Sequence, residues 1–153
     1  MKGVLKLIPI ALSALLLLCA AVDRENVLPM YTSSIDLTED GRVVLANKGT
    51  REVVLLAEDG KVAQRWTFEE PATGVAVAGD KLFVTTSHAK GFLSCIDLKD
   101  GKMLYSTETA MGACSPVVSH DATKVYVMNR YRGTVREVNA STGEVLRSGA
   151  VQR

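Results

Sequence analysis

Three short basic clusters fall at regular intervals along this chain: Lys48 and Arg51, then His88 and Lys90, then Arg130, Tyr131 and Arg132. Positive charge that returns at a fixed spacing can gather on one surface. There it attracts an anion: a carboxylate-bearing glycan, a phosphate-bearing small ligand, or an acidic patch on a protein partner. Acidic residues alternate with the basic clusters, at Glu39, Asp40, Glu58, Asp59, Asp80, Asp100 and Asp121. Two opposing facts temper the electrostatic reading. Aspartate is favoured in tight turns because its carboxylate bonds the nearby backbone, whatever the net field, and Glu69-Glu70 dilutes the basic set.

Other reactive side chains lack the company that catalysis or metal binding needs. His88 and His120 are expected on opposite faces, so they do not share a metal. Met103, Met111 and Met128 read as strand and core filler rather than copper ligands. Ser115 and Ser119 have no Gly-x-Ser-x-Gly setting, and Thr73-Gly74 belongs to no phosphate-binding loop. Trp66 and Phe68 are explained by packing in an outer strand. No Cys-x-x-Cys-His and no zinc spacing occurs, so the residues call for no metal and no cofactor. An exported protein can oxidise a pair such as Cys95 and Cys114. Cys95 stands where the next repeat has Glu137, however, and Cys114 precedes the Ser115-Pro116 strand entry, so unpaired thiols are the stronger reading.

The elements that position the basic clusters come from an internal repeat. Gly91-Phe92-Leu93-Ser94-Cys95-Ile96-Asp97 and Asp100-Gly101-Lys102 return as Gly133-Thr134-Val135-Arg136-Glu137-Val138-Asn139 and Thr142-Gly143-Glu144, so that Gly91 and Gly101 each recur 42 residues on. A more diverged copy lies upstream, with Asp40-Gly41-Arg42, Val53-Val54-Leu55-Leu56 and Asp59-Gly60-Lys61. A period of this length, filled with short apolar runs and Asp-Gly or Thr-Gly turns, predicts β-propeller blades. Each unit reads as four antiparallel strands; in the last they are expected at 116–119, 125–129, 134–139 and 144–148. The second strand of each unit is apolar on both faces, as in Leu82-Phe83-Val84. A strand covered on both sides reads this way, which favours stacked blades over a simple meander. The fold class is therefore all-β, a partial propeller of about three four-stranded blades near 33–70, 71–112 and 113–153. The basic clusters then occupy the turn between the second and third strands of every blade, and the acidic turns occupy the opposite face.

Tyr126-Val127-Met128-Asn129, with Gly133-Thr134-Val135 and Thr142-Gly143-Glu144-Val145, resembles the YVTN-type β-propeller repeat of bacterial and archaeal exported and surface proteins. That resemblance implies a binding or scaffold module that presents its loops to a ligand or protein partner. The alternative within the same architecture is part of a propeller enzyme, lactonase-like or redox, whose catalytic residues lie outside this chain. Three blades fall short of the ~4 to 8 that close a ring. The expectation is a truncated piece of a longer protein or, second to that, a protomer that closes by association.

Residues 7–22 are apolar apart from Pro9 and Ser13 and follow Lys2 and Lys6, the pattern of an export signal over 1–21, with an extended lead-in at 22–32. The run is shorter than the ~20 apolar residues of a comfortable membrane span. Cys19 follows Leu16-Leu17-Leu18 and resembles the acylated cysteine of a lipoprotein signal, except that Leu18 stands where a small residue is wanted. Cleavage after Ala21 is the other reading. Both place the mature chain in the periplasm or at the cell surface, and only a lipid on Cys19 would tie it to a membrane. Removing Lys2 and Lys6 from 18 basic residues leaves a near-neutral chain against 17 acidic ones, which does not fit a general nucleic-acid binder. The intact mass of the exported protein separates the two signals, reading either a lipid on Cys19 or a chain that starts at Val22.

Overall fold

The computed structural model describes residues 31–150, which form twelve β-strands in three sheets and, among the described residues, no helix. The signal segment, Cys19 and the first part of the lead-in lie outside the described residues. Strands β1 (Thr32–Leu37), β2 (Val43–Asn47), β3 (Glu52–Leu56) and β4 (Val62–Thr67) make the first sheet. The second holds β5 (Ala72–Ala78), β6 (Lys81–Ser87), β7 (Gly91–Asp97) and β8 (Met103–Glu108), and the third β9 (Ala113–Val118), β10 (Lys124–Asn129), β11 (Thr134–Asn139) and β12 (Val145–Ala150). Within each sheet the strands lie in sequence order and every pair is antiparallel.

The first strand of every sheet lies at the hub. A bare strand edge would leave N–H and C=O groups without partners, which is costly once they are buried. Side chains of the neighbouring sheet meet that need. Val77 N–H donates to Asp36 Oδ2 at 2.7 Å, Val75 N–H to Ser34 Oγ at 3.2 Å, and Ser33 Oγ donates to the Ala72 carbonyl at 2.9 Å. One junction further, Thr73 Oγ1 donates to the Ala113 carbonyl at 2.7 Å.

Two seams between sheets hold the core. Val44, Ala46, Val53 and Leu55 of the first sheet meet Val75, Leu82, Val84 and Ile96 of the second. Phe83, Leu93 and Cys95 of the second meet Val125, Val127 and Val138 of the third. Alternate residues of β6 therefore enter different seams, Leu82 and Val84 one way and Phe83 the other, which is why this strand is apolar throughout. Each fully buried Leu, Val or Phe is worth about 1.5–3 kcal/mol. The double-sided cover expected for every second strand is complete only in β6. In β10, Val125 and Val127 are buried but Tyr126 is half-buried and Met128 exposed, and in β2 Val43 and Leu45 are only half-buried, because among the described residues one face of each outer sheet meets no other sheet.

Turn glycines close the rim of each seam. Trp66 Nε1 donates to the Gly101 carbonyl at 2.9 Å, and one seam on Thr107 Oγ1 donates to the Gly143 carbonyl at 2.7 Å. Both glycines have positive φ, 72° and 76°. Gly143 has no room for a side chain, since a Cβ would lie 2.5 Å from the Tyr105 ring, whereas one at Gly101 would require the Gln64 amide to swing aside.

The inner strand of the third sheet departs from expectation. It begins at Ala113 rather than 116, because Ser115, with φ 48°, takes up a bulge ahead of Pro116 and lets pairing with β10 continue on both sides. A proline without an N–H is tolerated where a bulge interrupts the ladder.

The Gly143→Ala variant should lose about 2–4 kcal/mol in urea unfolding, since left-handed strain and a clash with Tyr105 add. Gly41→Ala, at φ 83° with open space around it, should lose only about 1–2 kcal/mol from strain.

Candidate functional site

Antiparallel order sends the β2–β3, β6–β7 and β10–β11 turns to one end of the sheets, together with the β4–β5 and β8–β9 connections. Lys48 and Arg51 lie in the first of these turns, His88 and Lys90 in the second, and Arg130, Tyr131 and Arg132 in the third; all seven are exposed. They sit one strand out from the hub, so they flank the axis rather than line it.

Local geometry explains how each turn is held. Asn47 Oδ1 accepts the N–H groups of Gly49 and Thr50 at 2.8 and 3.3 Å, and Arg51 takes the left-handed conformation at φ 60° that returns the chain to β3. In the third turn, Tyr131 lies against Gly112 of the β8–β9 connection, where a Cβ would come within 2.7 Å of its ring, and the Arg130 N–H donates to the Gly112 carbonyl at 3.0 Å. The Arg130 guanidinium stands 5.9 Å from the Tyr131 ring centre, within cation–π range. Tyr131 nevertheless keeps 66% of its surface exposed, and Met111 beside it 46%.

Not all of the positive charge is free. Lys90 reaches Glu108 at 3.5 Å, and Arg51 Nη1 donates to the Glu69 carbonyl at 2.9 Å. Lys48, His88, Arg130 and Arg132 form no ion pair among the described residues, so available charge is greatest over the third sheet.

The acidic turns at the other end serve the fold. Asp59 and Asp100 accept the N–H of Lys61 and Lys102, both at 3.0 Å, and pair with those same lysines; Asp80 pairs with Lys99 at 2.5 Å and Asp40 with Arg42 at 2.8 Å. The Ser119 hydroxyl, then the N–H and hydroxyl of Thr123, hold Asp121 down at about 2. His120 lies at this end, away from His88. Among the described residues no three His, Cys, Asp or Glu side chains are gathered as a metal site. Cys95 and Cys114 are free and buried, and burial pushes the Cys95 thiol up to about 11.

Sequence reasoning treated Glu137 as an ordinary strand residue. It occupies the register position of Leu55 and Cys95 and is 7% exposed in its side chain, yet it faces outward from the third sheet. Arg147 Nε donates to it at 2.5 Å and Lys124 Nζ lies 2.9 Å away. Glu137 and Arg147, with Tyr126 and Val135, border a depression of about 310 Å³. The signal was Glu137 itself, an acid inside a strand, with a basic residue ten positions on across the hairpin.

Stacked four-stranded sheets sharing a hub define a β-propeller module. The chain belongs to the PQQ_2 family, described as "Outer membrane protein assembly factor BamB", whose profile matches residues 23–153. No curated protein matches it. Among solved structures it resembles BamB from Moraxella catarrhalis, at 18% identity and a TM-score of 0.64 over 78% of this chain and 37% of that one. It also resembles hydrazine synthase of Kuenenia stuttgartiensis, at 16% identity and 0.74 over 86% and 39%. A third likeness is to the Myceliophteria thermophila Cps50 (Swd1) β-propeller domain, at 15% and 0.64 over 78% and 41%. At these identities the likeness is one of fold, and the chain spans well under half the length of each.

The Lys124 side chain, then that of Arg147, depresses the Glu137 pKa. A depressed carboxylate stabilises the fold above its unfolded pKa of about 4.3, and that contribution is lost as pH falls through the folded value. Wild type should therefore melt above Glu137→Gln at pH 7, and the gap in Tm should narrow as the pH is lowered below about 4.3.

Proposed function

We infer that this chain is an exported propeller module that binds a protein partner through its basic loop face, and that it serves the assembly of outer-membrane proteins. The observation that carries the reading is the β10–β11 turn, where an exposed tyrosine stands between two arginines that form no ion pair among the described residues and lies against Gly112, whose chain neighbour Met111 is also exposed. Tyr, Arg and Met are the residue types enriched where proteins recognise one another. Arg130 and Arg132 add charge that would favour an acidic partner surface over a neutral one. Family membership supports the assembly role and a periplasmic location. The YVTN-like signature and the signal segment favour export, with lipid attachment at Cys19 as the means of holding the module to a membrane.

Scaffolding follows from the same construction. The turns rise from sheets pinned to each other at the hub and the rim, so the loops keep their spacing when a partner arrives and lose little entropy on binding.

A photo-crosslinking side chain at Tyr131 should give protein adducts in cells that express the full chain, whereas the same probe at His120, on the opposite end, should not. With the probe moved to Met111, Arg130→Ser with Arg132→Ser should cut the adduct yield about tenfold, equivalent to about 1.4 kcal/mol of binding. Equal adducts from both ends, or a yield indifferent to the two arginines, would reject the loop face as the contact.

A further inference from the structure

The outer half of the first seam opens into a cleft of about 290 Å³, which runs between β7 and β8 on one side and the β4–β5 connection on the other. Phe68, Phe92 and Met103 give it apolar walls. Its polar groups can all accept hydrogen bonds, and no lysine or arginine lines it. Glu69 and Glu70 stand where it reaches the loop end, and neither forms an ion pair among the described residues; Arg51 is bound to the Glu69 carbonyl instead. On the floor, Ser94 and Ser106 share a hydrogen bond of 2.9 Å. Thr86 beside them is only 3% exposed, and its hydroxyl has no partner among the described residues, although the neighbouring Thr73 and Thr85 hydroxyls are both bonded. A buried polar group in that state favours a ligand that bonds to it.

The repeat shows what this place accommodates. Ser94, opposite Ser106, corresponds by register to Arg136 of the third sheet, opposite Ser148. Arg136 alternates with Val135 and Glu137, which border the outward depression, so it faces the second sheet. The connection changes in the opposite sense. The Phe68 N–H donates to the Arg51 carbonyl as the Thr109 N–H does to that of Gly91, so Glu69 and Glu70 correspond to Ala110 and Met111. At matching positions, then, the second seam has a guanidinium and no carboxylate, and the first has two carboxylates and no base.

We propose that the cleft of the first seam receives an arginine side chain from a protein partner, whose guanidinium takes the register place that Arg136 holds in the second seam. A guanidinium has N–H donors and no acceptor, which suits Thr86, the serine pair and the two carboxylates. Its planar fork engages a carboxylate by two bonds at once, which an ammonium cannot do. The aliphatic stem lies along the apolar walls, and the phenylalanine rings add cation–π attraction. This rests on the reading of the loop end as the partner face, and adds that the partner carries an arginine as well as the acidic groups that Arg130 and Arg132 attract.

Titration of the isotope-labelled full chain with N-acetyl-arginine amide, followed by NMR, should shift the backbone amides of Phe68, Glu69, Glu70 and Phe92 and saturate with a Kd on the order of 1 mM, the range open to a ligand of this size. The citrulline analogue, equal in shape but uncharged, should bind about tenfold more weakly. Glu69→Gln with Glu70→Gln should weaken the arginine probe by a similar factor, whereas Arg130→Ser with Arg132→Ser should leave it unchanged. In cells, a photo-crosslinking side chain at Thr67, exposed at the edge of the cleft, should give protein adducts that the two glutamine substitutions cut about tenfold. No saturable shift up to about 50 mM, equal binding of citrulline, or indifference to the two glutamines overturns the cleft as a guanidinium site. Binding of the probe without adducts at Thr67 overturns the partner as the source of the arginine. Adducts at Thr67 that persist while those at Tyr131 are absent support the cleft and reject the β10–β11 turn as the contact.

Discussion

A four-stranded antiparallel sheet has two faces and no interior, so it cannot remove its own apolar side chains from water. Everything else in this molecule follows from that shortfall. Leu82 and Val84 find cover on the first sheet, Phe83 and Cys95 on the third, and the middle sheet becomes the one most completely enclosed. The polar arrangements are consequences of the stacking. Asp36, Ser33, Ser34 and Thr73 satisfy hub groups that stacking would otherwise strand, while Trp66 and Thr107 do the same at the rim. A buried polar group without a partner costs about 1–3 kcal/mol, so these side chains stabilise the stack chiefly by preventing a loss.

Rigid stacking is also what makes the loop face usable. The β10–β11 turn is fixed from behind by Gly112, whose carbonyl receives the Arg130 N–H and whose missing side chain admits the Tyr131 ring. The exposed parts of Tyr131 and Arg130 are thereby presented by backbone rather than by a floppy tip. At the opposite end the carboxylates are spent on turn geometry and on neighbouring lysines and arginines, so the two ends differ less in raw charge than in how much of it is available.

Much of the architecture was legible in the residues. Gly91 and Gly133, or Gly101 and Gly143, recur because each unit must turn at the same place, and the unbroken apolar run at Leu82-Phe83-Val84 reported cover on both sides. Less could be read of what crosses between units. Trp66 looked like an outer-strand packing residue, and nothing local shows that its indole N–H belongs to the carbonyl of Gly101, 35 residues away. The bulge at Ser115 was hidden because Pro116 reads as a place for a strand to begin. Glu137 was missed because a single acid in a strand is ordinary until Lys124 and Arg147 are seen to converge on it. The loop positions of the seven candidate binding residues could be inferred from strand count alone; what they bind depends on a second surface that no spacing encodes.

Gly149 occupies the register place that Trp66 and Thr107 hold in the sheets before it, and β12 is the outer strand of the third sheet. With no side chain to bridge outward and most of its residues exposed, this strand is held less firmly than β4 or β8. Stability in stacked repeats is close to a sum of nearest-neighbour terms. Loss that begins at β12 should therefore pass from sheet to sheet, so that the three described sheets come apart in steps instead of rupturing at once.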